Sequence, residues 1–133
     1  MNKTILVTAS ILGILGIVLG AFAAHGLKQL ISAESIQTFE TGVKYQMYHA
    51  IFLLVIGTSN MVQMKFKRVI FYLTLIGILF FAGSIYGLAT NNISSFDFRK
   101  IGFITPFGGL LLIIAWVVLL INFLKMKTDK SQN

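Results

Sequence analysis

Four long stretches without Asp, Glu, Lys or Arg divide the chain: 4–24, 45–64, 69–89 and 103–124. Each has roughly the 20 residues that a helix needs to cross the hydrocarbon layer of a bilayer. Their apolar positions do not alternate with the period of two typical of a membrane barrel, so each stretch is predicted to be a helix. The pattern predicts an all-α, multi-pass membrane protein, a four-transmembrane-helix bundle in a single domain over 1–133.

The connections between these stretches differ in character. In 25–44, apolar residues recur at helical spacing with polar residues between them, which predicts a short amphipathic outer helix between helices 1 and 2. An ordered loop packed over the bundle would fit the same residues. The link 65–68 is short enough to make helices 2 and 3 an antiparallel hairpin, and the polar segment 90–100 is predicted to be an ordinary loop.

Composition excludes a water-soluble globule. The 133 residues are 56% hydrophobic and only 11% charged, which is more apolar surface than one small core can bury. The chain has no cysteine, which excludes disulfides, thiolate metal sites and cysteine nucleophiles. No common catalytic motif is present, so no enzymatic activity and no catalytic residue are expected.

The charge balance gives the expected orientation. The chain has 11 Lys and Arg against 4 Asp and Glu, a net charge of +7. In a soluble protein this would suggest nucleic acid, but in four spans it places seven basic residues on the face with both termini and four on the other. The positive-inside rule then predicts a cell-membrane protein with both termini cytoplasmic. Anionic lipid headgroups at the cytoplasmic face are the expected partner, and nucleic acid is not. The seven are Lys3, Lys65, Lys67, Arg68, Lys125, Lys127 and Lys130.

The first stretch has a second interpretation. Lys3, the apolar run and Ala21–Ala23 resemble a secretory signal with its cleavage site. The run is longer than the apolar core of a usual signal, which favours an uncleaved first span.

Small residues recur at steps of three and four on helices 1 and 3, a spacing that lets helix backbones approach closely. Packing inside the bundle is the favoured interpretation, because the short loops already hold the helices together. A homo-oligomer or a membrane protein partner is the alternative. The residues are Gly13, Gly16, Gly20, Gly83 and Gly87.

Helix 2 carries a predicted polar stripe of Gln46, His49, Gly57, Asn60 and Gln63. Unpaired amides facing lipid would be costly, so the stripe should face the bundle interior. Hydrogen bonding between helices is favoured over a substrate or proton path, since no carboxylate lies within a predicted span.

His25 and His49 both lie toward the outer face in this topology and could meet, with Glu40 nearby in sequence. Two nitrogens and one carboxylate would suit a metal or haem, but the spacing matches no zinc motif. Two interface histidines that hydrogen-bond to backbone or to Glu40 are favoured, so neither a metal nor a cofactor is expected. Trp116 lies in the middle of its stretch, which favours packing in the core over a place at the membrane interface.

Four blocks in order resemble the YgdD/YwdK-like small membrane proteins, also described as domain of unknown function 423, to which transmembrane protein 256 of eukaryotes is similar. The blocks are GAFAAHGL (20–27), FETGVKYQMYHA (39–50), FAGSIY (81–86) and ITPFGGL (104–110). The resemblance implies a four-helix bacterial inner-membrane protein without an established activity. Ala23 replaces a glycine that is frequent in relatives, a small-for-small change.

The matching positions converge on one membrane face. The resemblance therefore implies a candidate polar outer-end cluster, which is either one site or a set of helix-end contacts: His25, Glu40, Tyr45, Gln46, His49 and Thr105. The leading hypothesis is a non-enzymatic integral membrane protein that supports envelope integrity or a membrane partner. The alternatives are a small oligomeric transporter or channel, and a metal- or haem-binding membrane enzyme that uses His25 and His49.

Overall fold

The structure, a computed structural model, describes residues 1–127, and Lys130 therefore lies outside the described residues. The described part is all-helical, which confirms the predicted class. Short 3-10 turns at Leu27–Gln29, Asn91–Ile93 and Phe98–Ile101 lie in the connections. The four long helices are α1 (Asn2–Ala24), α2 (Ala33–Thr58), α3 (Met64–Ala89) and α4 (Ile104–Leu124).

Three helical segments of the described residues are long and apolar enough to cross a membrane: Asn2–Gln29, Met64–Ala89 and Ile104–Leu124. The helix that falls outside this group is α2, which has charged residues in its first half. α2 has 26 residues and is as long as α3.

The helices run antiparallel in chain order, as contacts at their ends show. At the hairpin end, which comprises the start of α1, the loop 59–63 and the end of α4, Lys67 Nζ donates to Asn2 Oδ1 over 2.9 Å. At the opposite, long-loop end, which comprises the connections 25–32 and 90–103, Leu27 packs with Phe39 and Ala89. Consecutive helices therefore alternate in direction.

α3 and α4 approach each other closely at Gly108. A methyl group on Gly108 would lie 2.5 Å from the backbone nitrogen of Phe81 and 2.9 Å from the carbonyl oxygen of Gly77. Only a residue without a side chain permits this contact, in the manner of small residues at other membrane helix crossings. The glycine therefore sets the spacing of these two helices.

The predicted short outer helix is not a separate element. The hydroxyl of Ser32 accepts from the backbone N–H of Ser35 and caps a helix that begins at Ala33 and continues without interruption to Thr58. Ser32 lies inside the predicted amphipathic segment 25–44, and the part of this segment that follows Ser32 forms the first turns of α2.

The boundary between the second and third stretches also differs from the prediction. Ser59 has an extended backbone with ψ of 136°, which ends α2 before the predicted residue 64. The loop is 59–63, and the predicted link 65–68 forms the first turns of α3. α1 and α4 lie close to their predicted bounds.

Candidate functional site

His49 lies buried within α2 and joins it to α4. The indole N–H of Trp116 donates to His49 Nε2 over 3.2 Å, and His49 Nδ1 lies 2.8 Å from the carbonyl oxygen of Tyr45. Because an indole nitrogen can only donate, Nε2 is the acceptor and Nδ1 carries the proton. The imidazole is therefore neutral, and both of its nitrogens are used in hydrogen bonds within the protein.

Aromatic rings surround this histidine. Trp116 packs on Phe52 with ring centroids 4.3 Å apart, and Tyr45 meets Phe81 edge-on at 5.1 Å. Trp116 packs on a neighbouring ring, but the predicted place in the core is wrong, because half of its side chain is exposed on the outer surface of α4. The hydrogen bond to His49 is an addition that spacing along the chain did not indicate.

Gln46 joins three helices through one amide group. Its Nε2 donates to the carbonyl oxygen of Leu12 in α1 over 2.8 Å, and its Oε1 accepts from the Tyr86 hydroxyl of α3 over 2.6 Å. The side chain is 4% exposed. Both heteroatoms of the amide are satisfied, as burial in an apolar surrounding requires.

Thr105 joins the start of α4 to α3. Its hydroxyl is hydrogen-bonded to that of Ser84, and the Ser84 hydroxyl donates to the carbonyl oxygen of Phe81 over 3.0 Å. Thr105 is therefore the donor in the pair. Like Gln46 and His49, it uses its polar group in a contact between helices.

His25 and Glu40 do not take part in these contacts. His25 follows α1, is exposed, and places Nδ1 2.9 Å from the carbonyl oxygen of Ala21 in its own helix. Glu40 lies exposed on α2. Within residues 1–127, no group of three or more His, Cys, Asp or Glu side chains is placed to hold a metal ion. The structure thus places Gln46, His49 and Thr105 in separate contacts between helices, whereas His25 and Glu40 lie exposed outside those contacts.

Three of the five predicted packing glycines contact another element. A methyl group on Gly87 would lie 2.5 Å from Phe98 Cδ1, one on Gly20 would lie 3.5 Å from Val43 Cγ1, and one on Gly16 would meet Met47. Methyl groups on Gly13 and Gly83 would meet nothing within 4 Å. Close approaches that the small-residue pattern did not indicate lie at Gly42, Gly57, Gly77 and Gly108, where an added methyl group would come within 2.5 to 2.8 Å of a neighbouring helix.

Asn60 and Gln63 are not part of a stripe on helix 2, because both lie in the loop after it. The predicted stripe assumed that helical spacing continued past Thr58. The loop is instead held by Asn122 of α4, whose Oδ1 accepts from the Gln63 backbone N–H and whose Nδ2 donates to the Met61 carbonyl, each at 3.0 Å. Asn122 is fully buried and was not predicted.

The two ends of the bundle carry different charges. At the hairpin end, Lys65 and Lys125 lie over the ring of Phe66 at 5.2 and 5.9 Å. At the long-loop end, Arg99 Nε donates to Asp97 over 3.0 Å. The hydrogen bonds from the Arg99 side chain and backbone lower the pKa of the Asp97 carboxyl, which stays ionised at neutral pH.

Comparison with known proteins identifies similar chains over nearly the full length. A family model described as "Protein of unknown function (DUF423)" matches residues 19–109. A UPF0382 membrane protein of Haemophilus influenzae is 38% identical over 96% of this chain and 99% of its own. UPF0382 membrane protein YwdK of Bacillus subtilis is 34% identical, over 92% and 98%. UPF0382 inner membrane protein YgdD of Escherichia coli is 30% identical, over 95% and 93%. No solved structure matches.

Proposed function

The chain belongs to the DUF423 family of membrane proteins, and from this premise we propose that it is a non-enzymatic, four-span protein of the cell membrane. Its proposed role is to support envelope integrity or a membrane partner. The observation that carries the proposal is the amide of Gln46, which joins three helices with both heteroatoms in hydrogen bonds. A polar group used in this way stabilises a bundle and is not free to act on a substrate.

α2 is proposed as the fourth crossing. Near its end Gly57 packs against Leu6 of α1, and near its start Gly42 packs against Tyr86 of α3. The helix has 26 residues, which at ~1.5 Å per residue is about 39 Å, more than the ~30 Å of a hydrocarbon layer. Its charged residues all lie exposed in the first half: Glu34, Glu40 and Lys44.

Both termini are proposed to be cytoplasmic. Among the described residues the hairpin end has six Lys and Arg, and the long-loop end has Lys28, Lys44, Arg99 and Lys100. Excess positive charge is retained on the cytoplasmic side of a membrane. The six are Lys3, Lys65, Lys67, Arg68, Lys125 and Lys127.

The same positive end is proposed to bind anionic lipid headgroups, since a negative surface potential attracts basic segments beside a span. A membrane protein partner or a second copy is the proposed occupant of the helix surface at Gly13 and Gly83, where an added methyl group would meet nothing within 4 Å.

The alternative functions rest on residues that lie in a loop or are engaged in other hydrogen bonds. A transport path along helix 2 needed Asn60 and Gln63, which lie in the loop 59–63. A metal or haem enzyme needed His25 and His49, and His49 has both nitrogens engaged by Trp116 and the Tyr45 carbonyl. The non-enzymatic bundle is therefore the function that the geometry favours.

The test is a deletion strain complemented with the wild-type chain, Gln46→Leu, or Gln63→Leu as a control that removes an exposed amide side chain. We expect loss of the chain to increase the entry of a membrane-impermeant dye into the cells. The wild type and Gln63→Leu should reverse this increase, and Gln46→Leu should reverse it less at equal expression. A solute flux through liposomes that hold the wild-type chain, with unchanged dye entry in the deletion strain, would contradict the proposal.

A further inference from the structure

A cavity of about 290 Å³ lies between α2, α3 and α4. Four residues that take part in contacts between the helices also form part of its wall. Residues from all three helices surround it, among them Tyr45, His49, Phe81, Gly109, Ile113 and Trp116.

The open side of the cavity lies along the outer surface of the helices, which faces the surrounding membrane in the proposed four-span arrangement on which this inference rests. Tyr45, Ile113 and Trp116 are 41%, 62% and 50% exposed, and all three lie on the outer surface of the helices. Along α4 the lining runs from Gly109 to Trp116, which at ~1.5 Å per residue is about 8 to 18 Å below the start of the helix. A ligand at this depth enters from the bilayer and is therefore soluble in lipid.

The walls are mainly aromatic and offer few polar groups that are not already hydrogen-bonded within the protein. Tyr45 and Phe81 meet at 67°, and His49 and Trp116 at 77°, so the rings form walls that stand steeply to one another. Both nitrogens of His49 are already hydrogen-bonded within the protein. The group that remains to recognise a polar atom of a ligand is the hydroxyl of Tyr45.

Gly109 keeps the cavity open on the α4 side. A methyl group there would lie 3.4 Å from Phe81 Cδ1, which is ordinary van der Waals contact. The helix packing therefore tolerates alanine at this position, and what the glycine adds is free space within the cavity.

We propose that this cavity binds the ring of a lipid-soluble quinone, with the Tyr45 hydroxyl donating to a ring carbonyl and the Trp116 indole packing against the ring. A volume near the lower limit of ligand pockets, roughly 300 Å³, suits one ring system. Aromatic walls favour a planar ring through offset and edge-to-face contacts. A saturated acyl chain would make no use of the phenolic donor, so the quinone ring is the better complement.

The fluorescence of Trp116 provides a direct readout, because the chain contains one tryptophan. The full chain in lipid nanodiscs is titrated with a short-chain benzoquinone while the intensity and the lifetime of the fluorescence are recorded. Binding in the cavity predicts saturable quenching at one quinone per chain with the lifetime of the remaining fluorescence unchanged.

Two matched pairs of variants locate the ligand. Tyr45→Phe removes the donor and is expected to weaken the apparent affinity about fivefold, whereas Tyr72→Phe, on an exposed part of α3, leaves it unchanged. Gly109→Ala occupies part of the cavity and is expected to weaken the apparent affinity by about fivefold or more. Gly20→Ala is the control, because its methyl group would make a similar ordinary contact, 3.5 Å from Val43 Cγ1, outside the cavity.

Quenching that stays linear, shortens the lifetime and is equal in all four variants would overturn the proposal, because it would mean that the quinone only diffuses through the bilayer. Saturable quenching by a phospholipid with brominated acyl chains, with none by the quinone, would also overturn it and identify an acyl chain as the occupant. Circular dichroism of each variant confirms that the pairs are compared as folded proteins.

Discussion

The indole of Trp116 and the imidazole of His49 form a hydrogen bond of 3.2 Å between α4 and α2. His49 is 5% exposed, so its Nε2 would lie among apolar side chains without a donor if the indole were removed. In a bilayer each polar group must find its partner inside the protein. This pair, together with the Gln46 amide, shows how polar residues in the apolar interior stabilise the arrangement of the helices.

Trp116→Phe is expected to lower the free energy of unfolding by about 1–3 kcal/mol, because His49 Nε2 loses its donor in a buried place. The measurement is reversible unfolding of the purified protein in mixed micelles. The double variant His49→Phe/Trp116→Phe should lose less free energy of unfolding than the two single variants lose in sum, since neither partner then remains unpaired. Strict additivity would contradict a direct interaction.

Gln46→Leu removes the amide that joins three helices and leaves the Tyr86 hydroxyl without its acceptor. We expect a loss of roughly 1–2 kcal/mol, the scale of hydrogen bonds between membrane helices. Gln63→Leu is the control, because that side chain is exposed and only its backbone N–H bonds to Asn122. Equal stability of the two variants would show that the amide adds nothing to the bundle.

Gly108→Ala and Gly109→Ala place the same methyl group at adjacent positions with different results. At Gly108 it would lie 2.5 Å from backbone and must separate α3 from α4, while at Gly109 it makes ordinary contact at 3.4 Å. We expect the first to destabilise by about 1–3 kcal/mol and the second to remain near wild type. The reverse order of melting temperatures would contradict this helix crossing.

Asn122→Leu should release the loop 59–63, since the amide bonds to backbone groups of Met61 and Gln63. Two unpaired backbone groups are expected to cost about 2–3 kcal/mol and to make the loop a site of proteolysis at the hairpin end. Asn92→Leu, at an exposed position of the 90–103 connection, should leave proteolysis of this loop unchanged. If Asn122→Leu is cleaved at the same rate as the wild type, Asn122 does not hold the loop 59–63 in place.

The sequence was sufficient to predict the helical class, because the apolar stretches are long and free of charge. It also indicated that Gln46 and His49 face inward, since polar side chains are unfavourable against lipid. Their partners Tyr86 and Trp116 were not predictable, because each pair depends on the register between helices that are distant in the chain.

The end of α2 shows a second limit of the sequence. Apolar residues continue through Met61 and Val62, so hydrophobicity alone extended the predicted helix past Ser59. The chain turns there because Asn122, 59 residues beyond Gln63, satisfies the backbone of the loop. The Ser59 hydroxyl also accepts from the backbone N–H of Met61, a local turn contact that the run of apolar residues does not reveal, and Asn60 was placed on a helix for this reason.

α2 is proposed to cross the membrane as one of four spans, and single cysteines test this crossing most directly because the chain has none of its own. Gln29→Cys and Asn60→Cys lie at exposed positions before and after α2. In intact cells whose outer barrier is permeable to the reagent, a membrane-impermeant maleimide should label Gln29→Cys and should reach Asn60→Cys only after the cell membrane is opened. Labelling of both positions from the same side would contradict the four-span bundle.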